Sequence, residues 1–462
     1  MSNEILERDG LTVTIVETPS LGDRSYVVDD GTSALVVDPQ RDLDRVHAVL
    51  EQRGVVLAAV AETHAHNDYV SGGLELARGA GVPYLVPCEA EVAYERVEVC
   101  DEDVQPVGTM TVRTIGTPGH TPHHVSFAVG TGDHPAVVFT GGSMLFGAVG
   151  RTDLVDPALT DHLTRAQHAS VRKLVADLPP DTAVLPTHGF GSFCSATPTT
   201  GTSSTIDEQR TENPALTQDE EDFVRTLLEG FDAYPAYYAH MGPANLAGPE
   251  PVDLSPAQEA DADELRRRIE AGEWVVDLRS RTAFARGHVP GTFSFDASGN
   301  VVTYLGWLVP WGTPITLLGA SAEQVAEVQR ELVRIGIDRP AAQATAPVEQ
   351  LTGDRPLSSY SVATFADLTR AREVGDVQVL DVRRDGEWQE SHLEGVQHIP
   401  LHDLMTRTDE VPDGPVWVHC ASGFRSSIAG SVLDRAGKRV TVVVDDFEKA
   451  ADCGLVLVKG RS

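Results

Sequence analysis

Residues 415–425 read PVWVHCASGFR, and this stretch decides how the C-terminal part of the chain is read. The apolar run at 416–418 predicts a strand that delivers Cys420 into a short loop. The following SSIAGSVLDRAG (426–437) predicts a helix closed by Gly437. A cysteine between a strand and a helix N-terminus faces backbone N–H groups, which favour thiolate and lower its pKa. Arg425 closes the loop with a permanent positive charge and fork-shaped donors. A persulfide on Cys420 suits the same cradle. The competing reading is an inert buried cysteine, which leaves the Gly, the Arg and the strand–helix context without a purpose.

The six-residue loop Cys420-Ala421-Ser422-Gly423-Phe424-Arg425 is preceded by LDVR (380–383), Glu387 and HLEG (392–395). Over about 357–458 this set resembles a rhodanese domain. The resemblance implies that Cys420 carries sulfane sulfur as a persulfide and that Arg425 is the loop-closing cation. It implies substrate contacts from Ala421, Ser422, Gly423 and Phe424, and structural hydrogen bonds from Asp381 and Arg383. Cysteine phosphatases and arsenate reductases use a similar Cys-to-Arg loop with one more residue, wide enough for a tetrahedral oxyanion. The shorter loop here favours a single sulfur atom.

The pattern occurs twice. VVDLRSRTAFARGHVPGT (275–292) aligns without a gap with VLDVRRDGEWQESHLEGV (379–396), matching Asp277, Arg279, His288 and Gly291 to Asp381, Arg383, His392 and Gly395. A period this long means two copies of a whole domain. In the first copy ITLLGASAEQ (315–324) puts Gly319 at the cysteine position and Gln324 at the arginine position. Glycine cannot carry sulfur, so this copy reads as a scaffold or docking domain. Its YLGWLVPWGTP segment (304–314) is either an interface or ordinary core. QATAPVEQLTGDRP (343–356) reads as the linker between copies.

Residues 10 to 195 alternate strand-like and helical stretches. TVTIVE, RSYVVDD and SALVVDP predict strands, DLDRVHAVLEQRG a helix, and VVLAAVAET (55–63) a buried strand ending at His64. His64 and His66 stand in THAHNDY (63–69), His120 in TPGHTPHH (117–124) and His188 in LPTHGFGS (185–192). Each motif follows a strand and lies in a turn, where neutral imidazoles can converge on Zn or Fe(II). With GRTDL (150–154), the set resembles the metallo-β-lactamase superfamily over about 10–250, in its persulfide dioxygenase and glyoxalase II branch.

Two positions depart from that family. Tyr69 follows Asp68 where a histidine is usual, and Gly142 replaces the aspartate ligand expected after the FTG strand. Three readings stay open. One Fe(II) or Zn(II) is held by His64, His66 and His120; or Asp68 or His188 moves in as a substitute ligand; or the domain is metal-free and serves binding or assembly. Arg151 matches the family's substrate-carboxylate arginine, or forms a salt bridge with Asp153.

Acidic residues number 69 against 36 basic ones, a net charge of −33, which argues against nucleic acid or an anionic membrane as partner. The first residues lack the apolar core of a signal peptide, and no apolar run spans a membrane. Five dispersed cysteines do not form a disulfide framework, so a reducing cytoplasm is expected. Cys88, Cys100, Cys194 and Cys453 read as inert. The expected architecture is α/β. An αββα metallo-β-lactamase-like sandwich spans 1–252, with 196–216 (Thr/Ser-rich) as a surface excursion. Two rhodanese-like α/β domains with central parallel sheets follow, a degenerate one at 253–345 and an active one at 357–462. The expected function is sulfane-sulfur processing on small thiols, persulfides or thiosulfate. A sulfur-relay scaffold and a glyoxalase II-type thioester hydrolase are the alternatives, and homo-oligomerisation is open.

Overall fold

A computed structural model of the chain describes residues 4–132, 134–199 and 201–460. Residue 200, in the Thr/Ser-rich stretch, and residues 461–462, at the end of the expected last domain, lie outside the described residues, as do 1–3. The chain divides into two compact units. One holds 1–231, 236–252 and 332–337; the other holds 232–235, 253–331 and 338–462.

Alternation along the first strands builds the first unit. Val13 and Ile15, Tyr26 and Val28, and Leu35 and Val37 point to one face. Val16, Val27, Ala34 and Val36 point to the other. Both faces are covered, which is why both sides of these strands carry apolar residues. Their sheet has seven strands, in sequence order from Glu4–Arg8 to Val97–Val99. A second sheet of six strands contributes Val112, Phe127, Phe139 and Leu185 to the core between the sheets. Fully buried rings such as Phe127 and Phe139 contribute about 1.5–3 kcal/mol each. Helices Asp44–Arg53 and Gly73–Ala80 cover the outer face of the first sheet. Helices Thr160–Asp177 and Glu220–Glu229 cover that of the second. The result is the expected αββα sandwich.

Residues 196–216 depart from the expected irregular excursion. Strand Ser204–Thr205 extends the second sheet, and helices Ile206–Glu212 and Pro214–Thr217 follow it. The reason is burial: Ile206 and Ala215 are inserted in the outer core, and Thr205 forms a capping box with Glu208. Cys88 and Cys100 also depart from the expectation, because they form a disulfide, with Cα atoms 5.3 Å apart. Each directly follows a strand, Tyr84–Pro87 and Val97–Val99, and these two lie side by side and parallel. The ladder closes a sequence separation of 12. No described helix is long and apolar enough to cross a membrane.

The second unit contains two parallel sheets. The first orders its strands Phe293–Ser294, Trp274–Asp277, Ile315–Leu318, Ala342–Ala344. The second runs Gln397–His398, Gln378–Asp381, Pro415–His419, Arg439–Val443, Ser361–Ala363. The first four positions match in both sheets. Part of the expected linker is structured: Gln343 lies in strand Ala342–Ala344, and Val348 and Leu351 of helix Val348–Leu351 are buried.

Candidate functional site

Strand Val56–Ala61 ends on the loop that carries His64, His66 and Asp68; strand Ala183–Pro186 ends on His188; and His120 lies in the turn after Met110–Gly116. All three imidazoles of His64, His120 and His188 are buried, with one ligand atom from each within 4.8 Å of the others. His188 Nε2 stands 3.3 Å from His64 Nε2. Behind it, His188 Nδ1 meets Asp23 Oδ1 at 2.9 Å and Asp68 Oδ2 at 3.1 Å. This is the carboxylate–histidine pairing that orients metal ligands. The His120 Nδ1 hydrogen-bonds the Arg151 carbonyl at 2.7 Å. That leaves His120 Nε2 buried without a partner.

Electrostatics separates the three. Burial pushes His64 well below its ordinary value and His120 down to about 3, so both are free bases ready to ligate. At His188 burial is outweighed by Asp68 and Asp23, which hold it up at about 10. The orphaned His120 Nε2, two neutral imidazoles and a carboxylate-backed third fit one divalent ion. His64, His120 and His188 would hold it.

His66, expected in that set, directs its Nε2 to other partners. Its Nε2 lies 3.1 Å from Glu62 Oε2 and 3.4 Å from Asp38 Oδ1, and the Tyr69 hydroxyl is 2.9 Å away. Burial opposes its charge, but Asp38 and then Glu62 push it up to about 9. Its Nδ1 is buried without a hydrogen-bond partner, and with Asp68 and His188 it forms a second buried group whose ligand atoms lie within 4.8 Å of one another. Several contributors have no motif in the sequence. Asn245 accepts the Ser71 N–H and donates to the His66 and Tyr69 carbonyls, pinning the histidine loop. His123 and His124 accept the N–H groups of Ala65 and Gly142. Asp23 is the missing partner of His188.

In the second unit, Cys420 sits at the end of strand Pro415–His419, only 2% exposed. Gly423 donates its N–H to Sγ at 3.2 Å, and Ser426 Oγ is 3.6 Å away. Arg425 pairs with both oxygens of Glu387, at 2.5 and 2.7 Å. That pair holds Glu387 down at about 2 against its burial. Arg383 is likewise bidentate to Asp381. The loop's other side meets the first repeat. Arg281 donates to the Ser422 carbonyl at 3.3 Å, and the Tyr304 ring lies 5.7 Å from that of Phe424. Ala421 lines an open cavity.

Comparison with known proteins follows these two sites. The Metallo-beta-lactamase superfamily profile matches residues 23–188, and that of the Rhodanese-like domain matches 364–452. A hydroxyacylglutathione hydrolase of Cereibacter sphaeroides is 31% identical over 186 residues, 39% of this chain and 69% of that protein. The chain belongs to the metallo-beta-lactamase superfamily. Persulfide dioxygenase ETHE1, mitochondrial, of Homo sapiens is 28% identical over 249 residues, 53% of this chain and 82% of that protein. A metallo-beta-lactamase from Staphylococcus aureus subsp. aureus COL has a TM-score of 0.65 at 24% identity, covering 72% of this chain and 98% of that one. This last likeness shows the fold.

Within the superfamily domain, the two departures have physical consequences. A Cβ on Gly142 would lie 2.3 Å from the His120 ring, so no carboxylate fits there with the rings as they stand. Tyr69 is fully buried and stacked on His66, 4.3 Å between centroids. The carboxylate and histidine that the family usually has at these two positions are therefore absent here, although His66, Asp68 and His188 form a second buried group whose ligand atoms lie within 4.8 Å. Arg151, read either as a substrate-carboxylate arginine or as a salt-bridge partner of Asp153, is buried and bidentate to Asp153 at 2.7 and 2.9 Å; its carbonyl orients His120. In the first repeat Gln324 plugs its own loop, accepting the Ala320 N–H at 2.8 Å. A Cβ on Gly319 would stand 2.5 Å from Val325. Gly319→Cys in a Cys420→Ser background is therefore expected to leave sulfur transfer absent. It should also cost about 1–3 kcal/mol in urea unfolding, the usual cost of overpacking.

Proposed function

We propose that this chain processes sulfane sulfur, with Cys420 as carrier and the superfamily domain acting on a low-molecular-weight thiol persulfide. We read it as three domains, 1–252, 253–345 and 357–462. The middle one is a degenerate rhodanese-like copy, a reading supported by the matching strand order and by Gly319. The observation that carries the proposal is the Gly423 N–H directed at Cys420 Sγ inside a rhodanese-like domain. In the transfer, the Cys420 thiolate attacks the outer sulfur of the donor. The donor's S–S bond breaks, and the leaving group departs with the electron pair, as sulfite from thiosulfate or as a thiolate from a persulfide. An acceptor nucleophile then removes the outer sulfur and restores the thiolate.

In the superfamily domain, His64, His120 and His188 would hold one Fe(II) or Zn(II), which would supply Lewis acidity toward a thiolate there. Asp23 and Asp68 orient His188, and the Arg151 carbonyl orients His120. The length shared with a persulfide dioxygenase supports a persulfide substrate. The similarity to hydroxyacylglutathione hydrolase favours thioester hydrolysis as a second reading, against which Gly142 and Tyr69 stand. Protein purified without air tests this. Iron, with oxygen uptake on glutathione persulfide, is expected. Zinc with thioester turnover would replace the reading by the hydrolase, and protein without metal under all conditions would leave a binding domain.

A further inference from the structure

A cavity of about 760 Å³ in the superfamily domain is lined by both cysteines of the Cys88–Cys100 disulfide, with Val99, Pro118, Pro122 and Ala169 as apolar wall. A space of this size suits a small organic molecule. Cys100 is exposed and Cys88 half-buried, so the bond meets the cavity directly. Opening the bond would leave the backbone in place. Cys88 donates its N–H to the Val99 carbonyl at 3.0 Å, and Cys100 donates its N–H to Asp103 Oδ2 at 2.8 Å. The strands that precede the two cysteines are paired in parallel. With the Cα atoms held 5.3 Å apart, each sulfur stays within reach of the other after the bond breaks. The cavity also adjoins the histidine loop: His123 lies in its wall, and His123 Nε2 accepts the Ala65 N–H at 3.0 Å, between His64 and His66. An exposed disulfide beside room for a thiol, on a backbone that lets it re-form, is suited to exchange.

We propose that this cavity binds a low-molecular-weight thiol with an apolar body, and that the Cys88–Cys100 disulfide exchanges with it. The thiolate R–S⁻ attacks Sγ of Cys100, the exposed sulfur. The Cys88–Cys100 bond breaks, an R–S–Cys100 bond forms, and Cys88 leaves as thiolate with the electron pair of the broken bond. In the return step the Cys88 thiolate attacks Sγ of Cys100 and expels R–S⁻. One S–S bond exists before and after each step, so no external oxidant or reductant enters. The apolar wall selects the body of the thiol by burying it, and the disulfide captures its sulfur. The proposal stands apart from Cys420 and from the metal, since neither takes part.

The test uses the full chain, purified without reductant, and two thiols of similar acidity, benzyl mercaptan and 2-mercaptoethanol. Exchange is quenched with acid and read by the mass of the peptides carrying Cys88 and Cys100, which keeps the other cysteines out of the readout. Each rate is divided by the rate of the same thiol with a free small-molecule disulfide. On that scale benzyl mercaptan is expected to react about tenfold faster than 2-mercaptoethanol, a modest share of what burying a phenyl ring contributes. Its rate should also level off as its concentration rises, because a bound complex comes first. Ala169→Trp alters an exposed position of helix Thr160–Asp177 and fills the cavity, and it should bring the ratio towards one. Equal normalised rates for the two thiols in the parent protein would overturn the cavity as a thiol site and leave only an exposed disulfide. Absence of exchange with either thiol, or free thiols at 88 and 100 from the start, would overturn the proposal as a whole.

Discussion

Cys420→Ser is expected to remove cyanide-dependent thiocyanate formation, by about a thousandfold or more. The chemistry requires a sulfur that exists as thiolate near neutral pH and forms a stable bond to a second sulfur. A serine hydroxyl does neither. The surroundings of Sγ, the Gly423 N–H at 3.2 Å and Ser426 Oγ at 3.6 Å, accept an oxygen without rearrangement. The variant should therefore fold as the parent does, and its failure should be chemical. Two measurements check it together: thiocyanate release with an excess of donor, and the mass of the protein after exposure to that donor. The parent should gain one sulfur atom and the variant none. Turnover at the parent's rate in the serine protein would place the carrier elsewhere, with Cys194 and Cys453 as the remaining free thiols.

The second large effect separates two histidines of the superfamily domain. His188→Ala is expected to weaken metal binding by about 100-fold or more, because it deletes a ligand and leaves Asp23 and Asp68 without the ring they orient. His66→Gln is expected to keep the metal and lose stability instead. His66 is the cation between the buried Asp38 and Glu62, and breaking such a cluster costs about 3–5 kcal/mol. Metal content after chelator competition reads the first effect, and urea unfolding of the metal-free protein reads the second. If His66→Gln lost the metal and His188→Ala retained it, the ligand set argued above would be wrong.

The two sites were legible to different depths, and the difference has a physical cause. The Cys420 loop is chemically complete in six consecutive residues, so its strand, cradle and cation were readable together. What it lacked was the partner of Arg425. Glu387 belongs to a different helix, and its pairing neutralises the charge that the loop alone advertises. The histidines were found because each ends a strand in a Pro- or Gly-shaped turn. Which of them converge was not readable. His64 and His66 are separated by one residue, yet Asp38 from one strand end captures His66, while Asp23 from another strand directs His188 inward. The Cys88–Cys100 bond was missed for the same reason, since nothing in the spacing announces that two strands pair in parallel.

By itself, then, the order of residues determined the αββα sandwich, the rhodanese-like loop with its cysteine, and the glycines at 142 and 319. These follow from local periodicity and from what a given side chain can or cannot do. Only the tertiary structure decided that His64, His120 and His188 present ligand atoms within 4.8 Å of one another, that Arg151 pairs with Asp153, and that Glu387 pairs with Arg425. Each of those outcomes depends on which distant charge arrives within a few ångströms of another. At that range, in a buried or crowded site, the nearest opposite charge governs orientation, and adjacency in the chain carries no information about it.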